Sequence, residues 1–198
     1  MFAQGTINFA NRVANAVSAP IYNVDPANPT AEKSGNPSAA DLGFPAGTTV
    51  YGGAKLQGTG FSAQLWVGTD VDHLAPCTAS IGGAVLTSTF RTGSGAGLLN
   101  TATAFAGLDA GTSVLAVLRV WDNQGGTILS YAEALAKNAA TGSGGTQVAL
   151  GGVSANGTIF ANPNLLGLTS FQLHIVPEPS VIALGVLGLG ALLLRRRK

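Results

Sequence analysis

The dipeptide Gly-Thr occurs eight times, at 5–6, 47–48, 58–59, 68–69, 111–112, 126–127, 145–146 and 157–158, where 28 Gly and 18 Thr in 198 residues would give about two to three by chance. Glycine accepts the positive φ of a turn and threonine is a good strand former, so the pair punctuates passages from turn to strand. Between the pairs, apolar residues alternate. Val114, Ala116, Leu118 and Val120 share one face of a strand, with Leu115, Val117, Arg119 and Trp121 on the other. Phe61/Ala63/Leu65/Val67 and Phe171/Leu173/Ile175 have the same period of two, the mark of a half-buried strand. The irregular intervals between Gly-Thr pairs exclude a solenoid repeat.

The alternation predicts strands near 5–11, 20–24, 48–52, 60–67, 84–91, 112–122, 146–150 and 170–176. One short helix is predicted over Ser130–Asn138, where Tyr131, Ala134 and Leu135 have helical spacing and Glu133 and Lys137 form an i,i+4 pair. Residues 26–45 hold four of the nine prolines and read as a long exposed loop. Gly93-Ser94-Gly95-Ala96-Gly97 and Gly142-Ser143-Gly144-Gly145 lack the lysine of a phosphate-binding loop and read as flexible loops. Short strands with glycine-rich turns predict a mostly β chain, an antiparallel β-sandwich over 1–176.

Charge narrows the functional classes. Only 10% of residues are Asp, Glu, Lys or Arg. Four of the ten basic residues are Arg195, Arg196, Arg197 and Lys198, so the body carries six basic groups against eight acidic ones. A nucleic-acid interface needs basic residues spread over a face, which excludes that class of partner. One cysteine, Cys77, excludes an internal disulfide and any multi-cysteine zinc site.

The C-terminal stretch is differently built. Pro177-Glu178-Pro179 is followed by Val181–Leu194, fourteen uncharged residues of which nine are Leu, Ile or Val, and then by the four basic residues. As a helix, the fourteen span about 21 Å against a hydrocarbon core of about 30 Å. Starting at Ser180 and letting the arginines snorkel narrows that gap, so 180–194 is predicted as a single transmembrane helix held by membrane lipid. The positive-inside rule leaves 195–198 in the cytoplasm as a basic anchor and puts 1–176 outside. Gly185, Gly188 and Gly190 follow no strand and read as small residues within the span, not as a nucleotide-binding turn.

In order and position these three elements resemble the PEP-CTERM sorting signal of exopolysaccharide-producing Gram-negative bacteria. The resemblance implies that the chain is a substrate of an exosortase, a membrane protease or transpeptidase that processes such proteins near the Pro177-Glu178-Pro179 motif. It covers 177–198. The implied protein is exported, passes through an inner-membrane intermediate, and ends at the cell surface or in the extracellular matrix, with exopolysaccharide as a further partner. Export needs a signal peptide; Ala3-Gln4 reads as the end of one that was removed or lies upstream. Gly5-Thr6-Ile7-Asn8-Phe9, Ala63-Gln64-Leu65-Trp66-Val67-Gly68 and Phe90-Arg91-Thr92-Gly93 resemble β-rich ectodomains of the same kind of protein and name no activity.

The body offers little catalytic material. Its histidines are His73 and His174, and no Gly-x-Ser-x-Gly elbow is present. Cys77 lies four residues after His73, the makings of a Cys-His pair, though such a cysteine is more often a small semi-buried residue. Asp70 and Asp72 share a loop and suit calcium in ligand type. Their number falls short of a calcium loop, and turn aspartates accepting backbone N–H groups are the plainer reading. No pair of carboxylates stands out for glycoside hydrolysis. Trp66 and Trp121 lie on strands, either as core or as sugar-stacking platforms. Asn156-Gly157-Thr158 fits a glycosylation sequon. The expected role is therefore non-catalytic, structural or interactive, with no cofactor. The alternatives are a carbohydrate-binding module and, more remotely, a secreted hydrolase.

Overall fold

The computed structural model describes residues 4–40 and 43–176. Among them, in chain order, are β1 (Gln4–Phe9), β2 (Arg12–Val13), β3 (Val17–Ser18), β4 (Gly58–Gly68), β5 (Ala75–Pro76), β6 (Thr87–Phe90) and β7 (Ala102–Phe105). There follow β8 (Ser113–Asp122), α1 (Tyr131–Ala136), β9 (Thr141–Ala149), β10 (Gly151–Val153) and β11 (Ile159–Phe160). The chain is mostly β, and every pairing between these strands is antiparallel.

One sheet has the order β11-β10-β1-β7. β1 is its hinge in sequence terms, pairing Gln4 with Val153 on one side and Phe9 with Ala102 on the other. The second sheet runs β5-β4-β8-β9, with β6 sharing the β4 edge that β5 leaves free. Alternation sorts the faces as the sequence predicts. Ile7 and Phe9 of β1, Ala63, Leu65 and Val67 of β4, and Val114, Ala116, Leu118 and Val120 of β8 all enter one apolar cluster. Connecting segments add Ile21, Leu56, Leu99 and Phe171 to it. A smaller cluster gathers Trp121, Ile128, Ala134 and Ala139 beneath α1.

Residues 142–145, read from sequence as a flexible loop, form part of β9, which pairs with β8 without interruption from Thr141↔Trp121 to Ala149↔Ser113. The reason is close approach. A Cβ on Gly144 would lie 2.9 Å from Phe171 Cδ1, and one on Gly142 would lie 3.0 Å from the Gln172 carbonyl oxygen. Glycine there lets the 168–173 segment rest directly on the sheet, which is a packing role and not a hinge. The other glycine-rich stretch does lie in a connection, with a 3-10 turn at Gly93–Gly95.

Three predicted strands, 20–24, 48–52 and 170–176, are instead extended segments joined at single positions. Tyr22 bridges Lys55 and Gln172, Pro37 bridges Thr49, and Thr141 bridges His174. Their backbone groups are still paired, as Tyr22 N–H donates to Phe171 O and Leu173 N–H to Tyr22 O. β2, β3, β5, β7, β10 and β11 lie outside the predicted strands. The predicted helix is present as Tyr131–Ala136, capped by the Ser130 side chain accepting from Glu133 N–H, with the Glu133–Lys137 pair closed at 2.7 Å.

The proline-rich loop is largely exposed but pinned. Tyr51 Oη lies 2.7 Å from the carbonyl oxygens of both Gly35 and Ser170, and its ring stacks on Tyr22 at 4.1 Å. Burial pushes the Tyr51 phenol well above its usual range. Asn11, 1% exposed, splices three segments: its amide donates to Ala19 O and Gly97 O, and its oxygen accepts from Leu99 N–H.

Among the described residues no helix is long and apolar enough to cross a membrane. The predicted span 180–194, the motif Pro177-Glu178-Pro179 and the basic residues Arg195–Lys198 lie outside the described residues.

Candidate functional site

The outward face of the second sheet holds the most chemistry. On β4 and β8 the register sets Gln64 opposite Arg119 and Trp66 opposite Val117, while β9 adds Ser143 and Gly145 to the same rows. The Arg119 guanidinium lies 4.2 Å from the Trp66 ring centroid and 5.3 Å from that of Tyr131 on α1. Trp66 Nε1 donates to Gln64 Oε1, and Gln64 Nε2 donates to Thr87 Oγ1 across to β6. The row is thus knitted from β6 to α1. A cation between two aromatic rings is held by their quadrupoles, each contact worth about 0.5–1 kcal/mol at a partly exposed site.

This geometry separates the two tryptophans. Trp121 is 0% exposed, donates from Nε1 to Ile128 O at 3.1 Å and meets Tyr131 edge-on. It takes the core role of the two the sequence leaves open, and presents no ring face to a sugar. Trp66 is half-buried, and Arg119 already lies over its ring. An arginine at an outward position of an alternating strand, opposite a strand bearing tryptophan, was the available sequence signal for this stack.

The candidate nucleophile and its base lie apart in environment. Cys77 is wholly buried in the main cluster, and burial pushes its thiol up to about 12. The thiolate needed for attack is therefore suppressed. His73 is exposed and engaged, its Nδ1 2.6 Å from Asp70 Oδ1. Asp70 caps the 3-10 turn Val71–His73, accepting from Asp72 N–H and His73 N–H, and the hydrogen bond with His73 leads the effects that hold its carboxyl below the usual range. This is the turn-aspartate arrangement. Asp72 is exposed beside it, and among the described residues no three His, Cys, Asp or Glu side chains gather to hold a metal ion. His174 pairs through its backbone with Thr141 and lies elsewhere, on the last bridged segment.

No family model, curated protein or solved structure matches the chain. A function therefore has to be argued from the residues themselves.

Proposed function

We propose that this is an exported, exosortase-sorted protein of the cell surface or extracellular matrix, tethered to the membrane before processing and serving a structural or interactive role. The observation that carries the reading is the ordered sequence of Pro177-Glu178-Pro179, the apolar stretch 180–194 and the basic residues 195–198. Two features of the body support it. Among the described residues, hydrogen bonding of the body runs to Ile175, whose N–H donates to Pro29 O, two residues before the motif. A sorting enzyme acting there would leave the β body whole. The buried thiol of Cys77 and the Asp70-engaged His73 also suit a non-catalytic body better than a hydrolase. The reading includes a sandwich for 1–176, supported by the single apolar cluster to which both sheets contribute.

The test is intact-mass analysis and fractionation of the protein from its native host, with and without the sorting enzyme. Loss of the residues beyond about Pro179 and release from the membrane, only when the enzyme is present, is the expected result. A C-terminus retaining Arg195–Lys198 in both strains would overturn the sorting reading.

A further inference from the structure

The connection between β10 and β11 carries the dipeptide Asn156-Gly157, which occurs once in the 198 residues. Residues 154–157 form a turn closed by Gly157 N–H donating to Ser154 O at 2.9 Å, and Ser154 N–H donates to Thr158 O. Asn156 and Gly157 are exposed, Gly157 has φ +83°, and a Cβ built on it would meet nothing within 4 Å. The Asn156 side chain is held at one atom. Its Oδ1 accepts from the Ser154 hydroxyl at 2.5 Å and from Thr158 N–H at 3.2 Å. Its Nδ2 makes no hydrogen bond among the described residues. Ser154 Oγ also lies 3.1 Å from Thr158 O, and its single hydrogen serves the shorter contact.

Covalent chemistry follows from this arrangement. A bond from the Gly157 backbone nitrogen to Asn156 Cγ closes a five-membered ring, an intramolecular step with no translational entropy to lose. Glycine in the following position leaves that nitrogen unshielded by a side chain. As the nitrogen attacks, negative charge develops on Oδ1, the atom that meets both donors, and donors aimed at a developing oxyanion lower the barrier. One contact resists: Gly157 N–H has to release Ser154 O as its proton passes to hydroxide, so base drives the step. We infer that Asn156-Gly157 is a self-modifying site, at which the Gly157 nitrogen displaces the Asn156 side-chain nitrogen while Ser154 and Thr158 steady the oxyanion. The N–Cγ bond forms as the Gly157 proton leaves; the Cγ–Nδ2 bond then breaks, and Nδ2 departs as ammonia with a proton from water. Water next opens the cyclic imide at one of its two carbonyls, giving aspartate or isoaspartate. The net change is one water consumed and one ammonia released. The turn gains a carboxylate, and the isoaspartate form adds a backbone carbon to a hairpin whose register rests on Gly152↔Phe160 and Val153↔Ile159. The step uses this turn and water alone, so it stands or falls separately from the sorting of the tail.

The experiment incubates the full chain in detergent micelles at pH 7 and pH 9 and maps its peptides by mass spectrometry. The amide-to-acid mass gain is read at each asparagine, and chromatography separates aspartate from isoaspartate. Asn156 should convert faster than every other asparagine, and faster at pH 9 than at pH 7. Ser154→Ala removes one donor at a half-buried turn position and should slow the conversion about three-fold or more, the part of an oxyanion donor's effect that survives in a solvated turn. Ser154→Thr keeps the hydroxyl and should stay within about two-fold of wild type. In concentrated urea, where the turn is lost, wild type and Ser154→Ala should convert alike. No conversion at Asn156, another asparagine converting as fast, or native Ser154→Ala matching wild type would each overturn the assignment. So would Ser154→Thr slowing as much as Ser154→Ala, or Ser154→Ala remaining slower in urea.

Discussion

Gly144 and Gly145 are adjacent residues of β9 on opposite faces, which makes them a controlled comparison. Each sits in extended strand backbone, so Gly→Ala at either should gain about 0.5–1 kcal/mol from the stiffer unfolded chain and the better strand former. Their surroundings differ. The atoms nearest a Cβ on Gly145 are Ala116 O at 3.3 Å and two side-chain carbons at 3.4 and 3.5 Å, on the exposed face. On Gly144 the same atom meets Phe171 Cδ1 at 2.9 Å and Cε1 at 3.1 Å, and Phe171 is 2% exposed within the main cluster. The ring would have to retreat by several tenths of an ångström in a close-packed interior, at an overpacking cost of about 1–3 kcal/mol. Gly145→Ala should therefore stabilise by about 0.5–1 kcal/mol, and Gly144→Ala should destabilise by about 1 kcal/mol. The backbone gain cancels between them, so their difference isolates the overpacking, about 1–3 kcal/mol, or about 2–10 °C in Tm for a chain of this size. Urea unfolding followed by tryptophan fluorescence measures both. Phe171→Leu in the Gly144→Ala background should recover part of the loss relative to Phe171→Leu alone. If Gly144→Ala proves as stable as Gly145→Ala, the account of β9 as a glycine-dependent contact strand is refuted.

Three further outcomes follow from the same structure. Trp121→Phe removes the donor to Ile128 O inside the second cluster and should cost about 2–3 kcal/mol in urea unfolding, from an unpaired buried carbonyl plus a cavity. Cys77 should resist thiol reagents at pH 8 while native and react promptly in denaturant, since its thiol is buried and pushed up to about 12; rapid native labelling would contradict its placement. The Asp25 carboxyl is held below its usual value, first by the Ala27 N–H and then by Lys33. Its contribution is therefore present above the unfolded-state value of about 4 and is lost as pH falls through the lower folded-state value. Asp25→Asn should lower the urea midpoint at pH 7 and narrow the gap to wild type near pH 3.

What the sequence disclosed depended on whether side chains wrote the pattern. β8 and β4 are legible because their inward positions carry Val, Leu and Ala in strict alternation, which assigns each residue to a face. The first half of β9 is illegible by the same test, because Gly142, Ser143 and Gly144 have no hydropathy to alternate; the signal lay in Phe171, 27 residues on. Four-residue β7 and three-residue β10 are strands because β1 lies between them, a tertiary fact. The Arg119 stack was legible only in part. Trp66, Arg119 and Tyr131 come from three separated stretches, and only the tertiary fold brings the rings to the guanidinium.

The placement of β1 also sets a timetable. Gln4 precedes its partner Val153 by about 150 residues, and Phe9 precedes Ala102 by about 90. At about 5–20 residues per second of synthesis, β1 waits roughly 7–30 s for its full set of neighbours. The sheet built on β1 therefore cannot be completed before β10 and β11 have been made. Until then β1 keeps an open edge, at which a strand of another chain could add during synthesis.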